Sequence, residues 1–71
     1  MEIIVKVMFN ASQERFENYG NNKYLIYLPF EEDADSAAVL ATILSRKIGT
    51  PTNRITFKNF NANKDWVFIL S

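Results

Sequence analysis

At 71 residues, with 48% hydrophobic content and ten aromatics, the chain is sized for one domain and supplied for a full core, which excludes a disordered segment or a two-domain arrangement. It holds neither cysteine nor histidine, so disulfides, thiolate nucleophiles and zinc clusters are excluded together with the commonest general base. Net charge is zero, which gives no bulk attraction to nucleic acid or to an anionic membrane.

No apolar run approaches the ~20 residues needed to cross a bilayer. The start Met1-Glu2-Ile3-Ile4-Val5-Lys6 is too short and too charged for a signal peptide. A cytoplasmic protein without a membrane partner is expected. The charges are unevenly spread: residues 1–45 hold three bases and seven acids, residues 46–71 five bases and one acid. That asymmetry marks either a basic pole or opposite charges meeting across neighbouring strands, and the second reading is the commoner one.

Residues 2–9 alternate with a period of two and predict a strand, with Ile3, Val5, Val7 and Phe9 on one face and Ile4, Lys6 and Met8 on the other. Residues 10–22 predict a polar connection in which Gly20 and Asn21-Asn22 form turns. Phe16 and Tyr19 anchor it, with a short irregular strand as the alternative. Lys23 to Leu28 predicts a second strand, ended by Pro29 because proline removes a ladder donor.

The helix carries the clearest signals. Asp33, Asp35 and Ser36 are N-cap candidates, since their side-chain oxygens accept free first-turn amides. Ala37, Leu40, Ala41, Leu44 and Ile48 recur on one helical face. Arg46 and Lys47 oppose the negative end of the dipole, Gly49 offers a left-handed cap, and Pro51 prevents continuation. Arg54 to Lys58 and Trp66 to Leu70 predict two more strands around an asparagine-rich loop, residues 59–65. The expected fold is therefore α+β, one domain over residues 1–71, in the order β-β-α-β-β: a four-stranded sheet with one helix packed on one face.

The order and the residues resemble the YggU family of small proteins of unknown function, over nearly the whole chain with little gapping. The family's Val-Lys-Val-x-Pro-Asn-Ala pattern falls on Val5-Lys6-Val7-Met8-Phe9-Asn10-Ala11, and its Leu-Gly-Val-Pro on Ile48-Gly49-Thr50-Pro51. Its Gly-Lys-Ala-Asn motif falls on Ala34-Asp35-Ser36-Ala37, which lacks the lysine and the asparagine. Its Ser-Gly-x-x-Ser-Arg-x-Lys loop falls on Asn59 to Trp66, where Lys64 alone keeps the character. The resemblance implies a fold and no reaction. The start, the helix from Asp35 to Gly49 and Arg54-Ile55-Thr56-Phe57 also resemble the ubiquitin-like β-grasp, which implies a binding module. The terminal Ile69-Leu70-Ser71 has no diglycine, so no conjugated modifier is implied.

Three groups are candidate sites. Glu31-Glu32-Asp33-Ala34-Asp35 is the one carboxylate cluster, but acids collect at helix starts for electrostatic reasons, and the EF-hand spacing is absent; no metal and no cofactor is expected. Neither an orienting partner nor an oxyanion site accompanies it, so no enzyme is expected. Arg54, Lys58, Phe60 and Lys64, beside Trp66, resemble a miniature nucleic-acid patch in which rings stack bases and lysines meet phosphate. The competing reading is that Phe60 and Trp66 complete the core, because single-strand binders present a longer cationic track.

The third group is the second sheet face. With Ile3, Val5, Val7, Ile26, Leu28, Ile55, Phe57, Phe68 and Leu70 under the helix, the opposite face carries Ile4, Met8, Leu25, Tyr27, Val67 and Ile69. A solvated antiparallel sheet should be mostly polar there. The chain stops at Ser71 with no second helix to cover that face, so it is expected to serve association, as a homodimer or with a protein partner.

Overall fold

The period-two run after Met1 forms β1 (Glu2–Met8), the central strand of a sheet in the computed structural model of the chain, which describes residues 1–71. The remaining elements are β2 (Arg15–Gly20), β3 (Lys23–Tyr27), α1 (Ser36–Ile48), a single 3-10 turn η1 (Thr52–Arg54), β4 (Ile55–Phe60) and β5 (Trp66–Leu70). The α+β class and the single helix follow the sequence expectation. The strand count does not: the sheet has five strands, in the order β2-β3-β1-β5-β4.

The additional strand is β2, from the segment expected as a polar connection. It pairs antiparallel with β3, placing Phe16 beside Ile26 and Glu17 beside Leu25. The turn Asn21-Asn22 makes this hairpin, with both residues left-handed at φ 51° and 62°, the combination that matches the twist of a two-residue hairpin. A bulge between Asn18 and Gly20 pushes Tyr19 out of the alternation. That displacement hides the strand from a period-two search.

The chain leaves β1, passes over the end of β3 to the sheet margin, runs down β2 and returns up β3, which lies parallel to β1 with Val5 beside Tyr24 and Val7 beside Ile26. Beyond β1 the pairing continues: Leu28 N–H donates to the Met8 carbonyl at 2.9 Å, and Asn10 N–H to the Phe30 carbonyl at 2.9 Å. On its other side β1 pairs antiparallel with β5, and β5 with β4. A bulge between Phe57 and Asn59 leaves Lys58 as the extra residue of β4.

Helix α1 connects β3 to β4 across one face. Its ends behave as the residues dictate, with one correction. Asp35 occupies the N-cap position, but its side chain accepts no capping bond. Instead Asp33 Oδ1 accepts from Asp35 N–H at 2.8 Å, and Ser36 Oγ accepts from Asp33 N–H at 2.9 Å, so the acids brace the turn rather than the helix. Gly49 closes the helix at φ 76°, its N–H donating to the Ser45 carbonyl.

The core lies between helix and sheet. Ile3, Val5, Ile26, Leu28, Leu40, Leu44 and Phe68 are fully buried, joined by Ile43, Ile55 and Trp66. Ile43 and Val39 widen the helical stripe beyond the residues read from the sequence. Burying a side chain of this class stabilises by about 1.5–3 kcal/mol each, before the chain entropy is charged against it. No helix is long and apolar enough to cross a membrane.

Candidate functional site

Two surfaces are candidate sites. The first is the sheet face opposite α1. Directly paired residues share a face, so Leu25 lies between Glu17 and Lys6, and Tyr27 lies between Arg15 and Met8. Ile4 has Lys23 on one side and Val67 on the other; Ile69 has Glu2 and Thr56. An apolar strip therefore runs diagonally across the face with charges at its margins.

The sequence reading placed Ile4, Met8, Leu25, Tyr27, Val67 and Ile69 on this face as bare apolar surface. All six are on it, but they are not equally bare. Leu25 and Val67 retain only 6% and 5% of their exposure without any second layer, whereas Met8 retains 43%. Ile4, Tyr27 and Ile69 are half-buried. Leu25 is flanked by Glu17 and Lys6, whose long stems can lie along it while their charges stay in water, and Val67 is flanked by Ile4 and Asn59.

Each margin holds one ion pair. Arg15 donates to Glu17 at 3.0 Å, and its guanidinium carbon sits 5.5 Å from the Tyr27 ring centre. On the far side Lys58, displaced by its bulge, donates to Glu2 at 2.6 Å. Tyr19, beside the first pair, has its hydroxyl pKa raised, by loss of water around it first and by the Glu17 charge second. The raised value favours the protonated folded state, so its small contribution holds at neutral pH and disappears as pH rises through that value.

The second surface is a cleft of about 350 Å³ at the end of the sheet where β1, β3 and β4 all terminate. Val7, Phe9, Phe60 and Trp66 form its apolar lining, and Glu32 and Lys64 supply its charges. Trp66 is nearly buried, with the Phe60 ring edge-on to it at 4.7 Å and the Phe9 ring tilted at 6.4 Å. Phe60 keeps 47% of its exposure. Thus one of the two aromatics read as either core or patch joins the core, and the other faces solvent.

Lys64 is set by the β4–β5 loop. Asn61 Oδ1 accepts from both Asn63 N–H and Asp65 N–H at 2.9 Å, and Lys64 N–H donates to the Asn61 carbonyl at 2.9 Å. This closed loop holds Lys64 at φ 63°, in the left-handed region. Neither Glu32 nor Lys64 belongs to an ion pair, the only two in the chain being Arg15–Glu17 and Glu2–Lys58.

Of the residues read as a nucleic-acid patch, only Phe60 and Lys64 come together. Lys58 is on the helix-free face with Glu2. Arg54 lies in η1 at the opposite end of β4, roughly 17 Å or more away at ~3.3 Å per strand residue. No three acidic side chains converge as metal ligands would. Phe9 and Glu32 were missed as cleft residues, because only the parallel pairing of β1 with β3 brings the connection after β3 to the end of β1. Compared with family models, with curated proteins and with solved structures, the chain finds no match in any of the three.

Proposed function

We propose that the chain is a protein-interaction module that associates with a second copy of itself through the helix-free face. One observation carries this reading: an apolar strip with Met8 at 43% exposure and half-buried Ile4, Tyr27 and Ile69 lies uncovered between two neutral ion-paired margins. An apolar centre inside a polar rim is the anatomy of a protein interface. A second copy is favoured over another partner by charge. Each margin carries one acid and one base, Lys6 and Lys23 add two unpaired cations to the face, and a net charge of zero leaves no bulk repulsion between copies.

The surface is small. A standard interface takes about 800 Å² from each partner, roughly a sixth of the 4662 Å² that this chain exposes. Reaching it requires the margins as well as the strip, which predicts association in the micromolar range rather than an obligate dimer. Sedimentation equilibrium over that range tests the reading. The mass should rise with concentration, and Tyr27→Glu and Ile69→Lys should each hold it at the monomer value with the circular dichroism unchanged. A wild-type chain that stays monomeric throughout overturns it.

Kinship with the YggU-like proteins belongs to the same proposal, supported by the residue pattern at Val5–Ala11 and Ile48–Pro51. It adds no activity to the reading.

A further inference from the structure

We propose that the cleft between Glu32 and Lys64 binds a small zwitterion with an aromatic group, of the class of a free aromatic α-amino acid. The cleft lies at the sheet end, on the side of the helix-packed residues, and is independent of the self-association face.

Size sets the first limit. Small-ligand sites span about 300–1,000 Å³, so a cleft of about 350 Å³ takes a ligand of amino-acid size. The lining sets the second. Phe9, Phe60 and Trp66 offer ring faces and edges to an aromatic group, Val7 adds an aliphatic wall, and the two charged side chains stand at the border.

Charge sets the third. Glu32 and Lys64 border the same cleft with opposite signs, and neither is neutralised by a partner in the chain. An anion alone would meet Lys64 but be opposed by Glu32 and by its neighbours Glu31, Asp33 and Asp35. A phosphate-bearing strand fails for the same reason. A cation alone would meet Glu32 and be opposed by Lys64. A ligand carrying both charges satisfies both residues, with its ammonium donating to the Glu32 carboxylate and its carboxylate accepting a hydrogen bond from Lys64 Nζ.

The backbone at Lys64 argues that the ammonium is placed rather than incidental. A side chain other than glycine or asparagine in the left-handed region costs roughly 1–2 kcal/mol. Asn63 and Asp65, both of types that tolerate this region, flank the position, yet lysine occupies it at φ 63°. Strain of this kind gathers at binding sites.

Trp66 is the only tryptophan and lines the cleft, so its fluorescence reports occupancy. The intact chain is titrated with L-phenylalanine into the millimolar range, beside 3-phenylpropionate, phenethylamine and glycine. Phenylalanine should give a saturable change; each comparison compound, lacking the ammonium, the carboxylate or the ring, should bind roughly tenfold or more weakly. Lys64→Gly should abolish the phenylalanine response while raising the melting temperature, since glycine relaxes the backbone there. Glu32→Gln should weaken binding by roughly tenfold with the melting temperature unchanged. No saturable response to phenylalanine, equal binding of phenylpropionate, or full binding by Lys64→Gly overturns the proposal.

Discussion

The two faces of this sheet hold similar aliphatic side chains and hide them by different means. Under α1, burial comes from another layer: Phe68 and Ile26 share one buried cluster with Leu40, Ile43 and Leu44 of the helix and lose all their exposure. On the opposite face Val67 and Leu25, their immediate chain neighbours, come within a few per cent of that burial with no layer above them. There the flanking side chains are Glu17 and Lys6 beside Leu25, and Ile4 and Asn59 beside Val67. Exposure alone therefore does not distinguish a packed core from a shielded surface; the identity of the covering atoms does. A helix is fixed in place, whereas lysine and glutamate stems can be moved aside by a partner.

The largest expected effect separates adjacent residues. Phe68→Ala should cost about 3–5 kcal/mol, from lost transfer and the cavity beneath the helix. That is comparable to the entire stability of a domain this small, about 5 kcal/mol, so the variant should be largely unfolded at room temperature. Val67→Ala should cost only about 1–2 kcal/mol, because the side chain is smaller and stands on the helix-free face between Ile4 and Asn59 rather than under a fixed layer. Urea denaturation of both variants checks the difference. Equal losses would mean that the helix-free face is as rigidly packed as the core.

Gly49→Ala comes next. Nothing stands within 4 Å of the added methyl, so the cost is confined to holding a Cβ at φ 76°, about 1 kcal/mol. It weakens the helix cap and with it the layered face alone. Thermal unfolding should fall by several degrees, at about 4–8 °C per kcal/mol for this size, while self-association of the properly folded fraction stays as in the parent. A change in association would couple the two faces through the sheet.

What the residues disclosed beforehand follows the same division. The helix was legible to within a residue because its signals are local: the spacing of Leu40, Leu44 and Ile48, then Gly49 and Pro51. The membership of each sheet face was legible too, since alternation along a strand survives any strand order. Strand β2 was legible only as an alternative to a polar connection, because Arg15–Gly20 contains few apolar residues, and its bulge moves Tyr19 out of phase. A signal was nevertheless present, as two turn-forming asparagines before Lys23 imply a strand on each side of them. The cleft was beyond reach for a different reason. It gathers residues from β1, β4, β5 and three connections, and their meeting depends on β3 lying parallel to β1.

Shortening one stem sharpens the comparison further. Lys6 pairs with Leu25 on the helix-free face and is itself exposed. Lys6→Ser should cost about 0.5 kcal/mol, chiefly by uncovering Leu25 rather than by removing a charge, since Lys6 belongs to no ion pair. The same change widens the apolar strip, so self-association should strengthen while stability falls. Sedimentation and urea titration on one variant read both. Weaker association would mean that the Lys6 ammonium, not the strip, makes the contact.

The smallest effect belongs to the margin pair Glu2–Lys58. Its distance of 2.6 Å invites a large value, but both side chains are about half exposed, at 52% and 48%. Water and salt screen a pair so placed, and ordering two long side chains offsets the attraction. A double-mutant cycle with Glu2→Gln and Lys58→Met should return a coupling of about 0.5 kcal/mol in the monomer, shrinking as salt is added. Measured on the associated form the coupling should grow, because a second copy would exclude water from both margins. Equal coupling in the two states would place the Lys58 margin outside the contact and shift it toward Tyr27 and Met8.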